Sequence, residues 1–166
     1  ELKLIPEYIL ITHGHIDHAG AAKELATKLN LNIIGPHIDD SFLLESLEIQ
    51  GQMYGMNAQN FIPDKWLKHE DSISFGNQTL EIKHCPGHAP GPVIGINHKA
   101  KKIIAGDVLF NGSIGRTDLP RGNHQDLIDS INHHLLTLDD TYIVHCGHGP
   151  DTSIGHERKT NPFLNA

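Results

Sequence analysis

Only two cysteines, Cys85 and Cys146, occur in the chain, too few for the disulfide framework of a small secreted scaffold. No stretch approaches the ~20 consecutive apolar residues that a membrane-spanning helix requires. Basic residues are also scarce: 13 Lys and Arg stand against 20 Asp and Glu, for a formal net charge of -7. With no long basic run, neither nucleic acid nor a membrane is an expected partner. No internal repeat or low-complexity tract is found. The first residue is Glu1 rather than Met, and no signal-peptide pattern precedes the first apolar run. The expectation is a cytoplasmic protein whose N-terminus is incomplete.

What the chain does have is a composition for one globular unit and an unusual supply of imidazole. A hydrophobic fraction of 38% and a charged fraction of 20% over 166 residues suit a domain able to bury a core. The 14 histidines outnumber Lys and Arg together. Surface histidines are common, so their placement decides what they mean.

The apolar run Tyr8 to Thr12 after Pro6 predicts a buried strand. Ala19, Ala22, Leu25, Ala26 and Leu29 recur at helical spacing, and Leu31 to Gly35 predicts another strand. This strand–helix–strand opening points to an α/β layer arrangement. A weaker helix is predicted from Asp39 to about Met53, with Phe42, Leu43 and Leu47 facing inward, followed by an irregular connection to Asp64. Ser72–Phe75 and Thr79–Lys83 flank a turn at Gly76-Asn77 and predict a hairpin. Val93–Ile96 and Lys102–Ala105 predict a further strand pair. Gly112 to Gly122 reads as a loop. Asn123 can cap a helix running to about Thr137 with Leu127, Ile128, Ile131 and Leu135 inward. Tyr142–Val144 is the last clear strand.

Histidine or aspartate stands just past the end of one predicted strand after another: His13 and His15, His88, Asp107, His148. A rigid sheet can bring such positions together from distant sequence. His13-x-His15-x-Asp17-His18 is the strongest signal, since composition alone produces such a run by chance in roughly 0.7% of cases. Imidazoles and carboxylates suit zinc and similar divalent ions. His13 and His15 point the same way on an extended segment, because side chains alternate. Asp17 and His18 fall at the turn into the helix and can face a neighbouring position. The alternative is a solvated polar turn. Pro86 to Gly91 fixes His88 on a stiff loop, Gly106 precedes Asp107, and glycines flank His148. Each of these alone fits an ordinary loop residue; together with the first motif they suffice for two coordination spheres.

Read in order, His13-x-His15-x-Asp17-His18, His88, Asp107 and His148 resemble the metallo-β-lactamase superfamily over nearly the whole chain. Within it the chain is most similar to short glyoxalase II-type proteins, the hydroxyacylglutathione hydrolase-like group. His84-Cys85-Pro86-Gly87-His88, Gly106 to Phe110, Gly115 to Gly122 and Asn161-Pro162-Phe163-Leu164 carry that second likeness. The resemblance implies an α/β fold, an αββα sandwich, over one domain spanning 1–166. It also implies strands ahead of the first histidine motif, where this chain has only seven residues before Tyr8. The domain is therefore expected to lack its N-terminal strands.

By the same resemblance His13, His15 and His88 hold one metal, Asp17, His18 and His148 hold a second, and Asp107 bridges them. Zinc is the expected ion, with iron or manganese as alternatives. Two such ions ~3.5–4 Å apart lower the pKa of a bridging water toward ~7, and the hydroxide attacks a carbonyl. Asp17 and Asp107 are the expected catalytic residues. Arg116 matches a position that contacts the glutathione portion of substrate, and its planar fork suits a carboxylate. The implied activity is thioester hydrolysis, S-lactoylglutathione to hydroxy acid and glutathione. A mononuclear iron persulfide dioxygenase, with His13, His88 and Asp107 as its triad, is the rival enzyme. A non-catalytic metal-binding domain is the rival from another class. Cys85 and Cys146 are poor nucleophile candidates, since small buried side chains are usual at strand ends. His37, His69, His98, His133, His134 and His156 are not expected to be ligands, and His133 and His134 are expected to face solvent. Oligomeric state is not legible.

Overall fold

The apolar run Tyr8–Leu10, with aromatic Tyr8 and β-branched Ile9, forms β1, which is followed by α1 (Ile16–Ala19), α2 (Ala22–Leu29) and β2 (Asn32–Ile34). β2 lies parallel to β1 with Ile9 opposite Ile33, and parallel neighbours need such a crossover connection. The computed structural model describes residues 4–165, so the ends of the expected domain, 1–3 and 166, lie outside the described residues. The chain divides into two compact units, Glu1–Leu67 and Lys68–Ala166.

In the first unit the helical stripe is narrower than its spacing predicts. Ala19, Ala22 and Ala26 are buried, whereas Leu25 and Leu29 are largely exposed. The helix is also broken at Gly20-Ala21, so Asp17 and His18 belong to a separate helical turn. The helix predicted from Asp39 to Met53 is three pieces: a 3-10 turn at Ile38–Asp40, α3 (Ser41–Leu44) and α4 (Leu47–Tyr54). Ser46 and Gln50 explain the interruption, because the Ser46 hydroxyl and the Gln50 amide both donate to the Leu43 carbonyl. Side chains that take a helical carbonyl compete with the regular ladder. Leu44 and Leu47 are fully buried with Ile11, Ile33 and Phe61 in this unit's core.

The second unit is built on a six-stranded sheet. Its strands are β3 (Ser72–Phe75), β4 (Gln78–His84), β5 (Val93–Asn97), β6 (Lys102–Gly106), β9 (Ile143–Cys146) and β10 (Thr152–Ser153). The predicted hairpin turns at Gly76-Asn77 as expected, with Phe75 opposite Gln78. Between β6 and β9 the chain makes the small hairpin β7 (Leu109–Phe110) and β8 (Ser113–Ile114), then α5 (His124–His134). β6 and β9 run parallel, with α5 in the crossover between them. Every residue of β5 is buried, as a central strand covered on both faces must be. Asn123 caps α5, its side-chain oxygen accepting the Gln125 and Asp126 amides. Leu127, Ile131 and Leu135 are fully buried in the unit's core, with Ile128 packed at its edge. α5 ends at His134, short of Thr137.

A final helix, α6 (Ile154–Thr160), follows β10 and has no apolar stripe to announce it. Its anchor is Glu157, fully buried. The carboxylate accepts the Thr152 hydroxyl, the Asn161 amide at 2.7 Å and the Gly112 backbone amide at 3.0 Å. A buried charge persists only where its oxygens are satisfied. Glu157→Ala strands three donors at once and is expected to cost about 2–4 kcal/mol. Thermal unfolding against the wild type checks this; an unchanged midpoint contradicts the role.

Candidate metal centre

The first unit gathers three imidazoles at the end of β1. His13 is fully buried, and its ring centroid lies 4.9 Å from that of His15 and 4.1 Å from that of His18. The Thr12 hydroxyl and His13 Nδ1 are 3.2 Å apart. His15 keeps an extended backbone (φ -67, ψ 148) as the residue just ahead of α1. The chain therefore turns helical only after both histidines of the extended segment are set. α1 then presents Asp17 and His18 together, with His18 Nε2 3.6 Å from Asp17 Oδ2.

The second unit gathers His88, Asp107 and His148. Asp107 is nearly buried at the end of β6, with His88 Nε2 3.6 Å and His148 Nε2 3.4 Å from its Oδ2. His88 Nδ1 lies 2.8 Å from the Arg116 carbonyl. A carbonyl oxygen can only accept, so Nδ1 carries the hydrogen in the neutral ring. Nε2 therefore directs its lone pair at the carboxylate. Such a backbone partner on the far nitrogen is the usual way a ligating histidine is oriented. The two separations exceed the ~2.7–2.9 Å of a charge-assisted hydrogen bond. They are close to the ~3.3–3.4 Å between two donors that share a tetrahedral cation at ~2.0–2.1 Å. Two imidazoles facing one carboxylate oxygen at that spacing suit a divalent cation in both number and chemistry.

The His148 loop joins β9 to β10 and is closed at its base by His145 Nδ1 and Asp151 Oδ2, 2.8 Å apart. Asn111 adds a bond to the Asp151 carbonyl. The Phe110 ring meets His148 edge-on with centroids 6.1 Å apart. The sequence carries no signal for the Arg116 carbonyl or the His145–Asp151 closure, because both depend on pairings between separate segments.

Arg116 is exposed, and its fork is engaged by Asp118, with Nε to Oδ1 at 2.6 Å and an Nη to Oδ2 at 2.7 Å. Those hydrogen bonds hold the Asp118 carboxyl down to about 2. A substrate carboxylate arriving at Arg116 therefore has to share or displace Asp118. Burial pushes the Cys85 thiol up, and Cys146 is also raised, chiefly by burial. Neither residue is set up as a thiolate nucleophile.

Several of the other histidines have structural partners. His98 bridges Glu81 at 2.6 Å and the Tyr142 hydroxyl at 2.9 Å, and the His37 ring accepts the Asp39 amide. His133 is exposed as expected. His134 is half-buried, its ring centroid 5.0 Å from that of His69. Burial, then the charges of His69 and Lys83, lower its affinity for a proton.

Sheet, helices and donor loops together define a class. Residues 6–148 match the family model of the metallo-beta-lactamase superfamily, and the chain belongs to that superfamily. Its α/β fold is the superfamily's, as the sequence led us to expect. The chain is 46% identical over 168 residues to hydroxyacylglutathione hydrolase GloC of Haemophilus influenzae, covering 100% of this chain and 79% of the relative. Among solved structures, it is similar to BLEG-1 B3 metallo-beta-lactamase, with a TM-score of 0.88 and 38% identity over 99% of this chain and 79% of that one. It is also similar to TTHA1623, solved in a di-iron-bound form, with a TM-score of 0.87 and 38% identity over 97% and 79% of the two chains. Among the described residues, no helix is long and apolar enough to cross a membrane.

Proposed function

We propose that this protein is a binuclear metal-dependent thioesterase that hydrolyses a hydroxyacylglutathione such as S-lactoylglutathione. The observation that carries the reading is the pair of imidazole nitrogens at 3.4 and 3.6 Å from one Asp107 oxygen, with the His88 lone pair turned to face it. Membership of the superfamily and the 46% identity to GloC support the choice of reaction.

In this reading residues 1–166 make one metallo-β-lactamase-fold domain. His13, His15 and His88 hold one cation, Asp17, His18 and His148 hold the other, and Asp107 serves both. When bound, such a pair of cations supplies a water acidified toward neutrality and a Lewis acid for the developing oxyanion. The chain's own residues do the rest. Asp17 would orient the proton of the attacking water, and Arg116, released from Asp118, would bind a substrate carboxylate. Zinc is the proposed ion. Iron stands beside it, because a relative of 38% identity was solved with two irons. The proposed setting is the cytoplasm, with a small-molecule glutathione conjugate as substrate.

The test is metal content and turnover on one preparation. Two ions per chain, hydrolysis of S-lactoylglutathione, and loss of both on chelation with recovery on adding zinc are the expected results. One iron per chain with oxygen uptake on a persulfide would replace this reading with a dioxygenase. Hydrolysis of a β-lactam without thioester cleavage would replace the substrate class. Full metal occupancy with no turnover would make the chain a metal-binding domain.

A further inference from the structure

Asp40 stands directly ahead of α3, where an aspartate ordinarily caps the first amides of its own helix. It does not do so: no side-chain cap bond is made to α3. The carboxylate instead accepts the backbone N–H of Gly14 at 2.8 Å, 26 residues earlier in the chain. Gly14 is the residue between His13 and His15. Asp40 is itself fully buried, a rare condition for an aspartate that is not held by partners. The fit around this bond is tight. A Cβ on Gly14 would come within 2.8 Å of Leu43 Cβ and 3.2 Å of the Asp40 carbonyl oxygen. The backbone at Gly14, between the two histidines, is thus held by a carboxylate on its N–H and packed tightly against α3.

We infer that Asp40 is a positioning residue of the metal centre, which holds the His13–His15 loop in ligating geometry through the Gly14 amide. The inference rests on the metal-centre reading given above. The physical reason is preorganisation. Without an acceptor, the Gly14 N–H must find another partner, and the simplest way is for its peptide to rotate. That peptide links His13 to Gly14, so its rotation turns His13 directly and carries His15 with it through Gly14. Outer partners of this kind typically govern metal affinity by ~10–100-fold.

The test is titration of the whole chain with Co2+, reading dissociation constant and visible d–d spectrum, alongside far-UV circular dichroism for folding. Asp40→Ala is expected to weaken Co2+ binding by ~10–100-fold and to alter the spectrum. Asp40→Asn keeps an oxygen that can accept the Gly14 N–H and is expected to stay within about threefold of wild type. Leu43→Ala trims a buried neighbouring side chain while keeping both the Cβ that faces Gly14 and the hydrogen bond, and is expected to leave the spectrum unchanged. Should the alanine variant not fold, Asp40→Ser, whose shorter hydroxyl cannot reach the amide, takes its place with the same expected loss. A folded Asp40→Ala or Asp40→Ser protein with wild-type affinity and spectrum overturns the inference. So does an Asp40→Asn protein as impaired as either of them, or a Leu43→Ala protein that matches them. A wild-type chain that binds no Co2+ would instead sink the metal-centre reading itself, so the two failures are separable.

Discussion

Asp107→Ala is expected to lower bound metal from two ions per chain to one or none, and to slow thioester hydrolysis by at least ~10²-fold. The carboxylate is nearly buried between His88 and His148, and both imidazole nitrogens approach the same oxygen. Removing it leaves the His88 and His148 Nε2 atoms without the carboxylate oxygen that both approach. The site then loses both a ligand and the negative charge that offsets a dication's desolvation. An asparagine in its place keeps the shape but not the charge, so Asp107→Asn is expected to fall between alanine and wild type in metal content. Metal analysis and kcat/KM from one preparation of each variant decide the matter. If alanine leaves both stoichiometry and rate untouched, Asp107 is not a shared ligand and the binuclear proposal fails.

Gly87→Ala is expected to destabilise the protein by about 3 kcal/mol, combining overpacking with backbone strain. Gly87 has φ +137, and a Cβ built there would lie 2.3 Å from the Leu127 amide nitrogen and 2.4 Å from its Cα. That contact is with backbone in the first turn of α5, which is fixed in turn by Leu127 burial and the Asn123 cap. The Asn123 amide also donates to the Gly87 carbonyl at 2.8 Å, so the loop cannot retreat without breaking a bond. The Ser130 hydroxyl adds a second tie, to the Pro86 carbonyl at 2.9 Å. Because His88 is the next residue, weaker metal binding is expected to accompany the lost stability. Gly76→Ala is the control: its φ of +50 is also unfavourable, but nothing lies within 4 Å of a Cβ there, so about 1 kcal/mol is expected. Urea midpoints for the two variants measure the difference. Equal shifts would mean that the packing of α5 against the His88 loop is not what constrains Gly87.

By itself the sequence determined the elements with strong local pattern and named the candidate donors. Gly76-Asn77 marks a hairpin turn, Asn123 with Leu127, Ile131 and Leu135 marks α5, and His13 to His18 marks a candidate ligand run; each rests on neighbours within a few residues. Local pattern failed where local forces were outvoted. Leu25 and Leu29 share the spacing of Ala22 and Ala26 yet remain exposed, because periodicity names a face without saying how much of it is covered. The Asp39–Met53 helix is cut where Ser46 and Gln50 take the Leu43 carbonyl, and α6 is held by the buried Glu157 rather than by an apolar stripe. Only the tertiary structure decided which nitrogen of His88 faces Asp107, that Arg116 is already engaged by Asp118, and that Asp40 serves Gly14 rather than its own helix. Each of those choices is a hydrogen bond between segments far apart in the chain, and such a bond has no signature in the order of the residues.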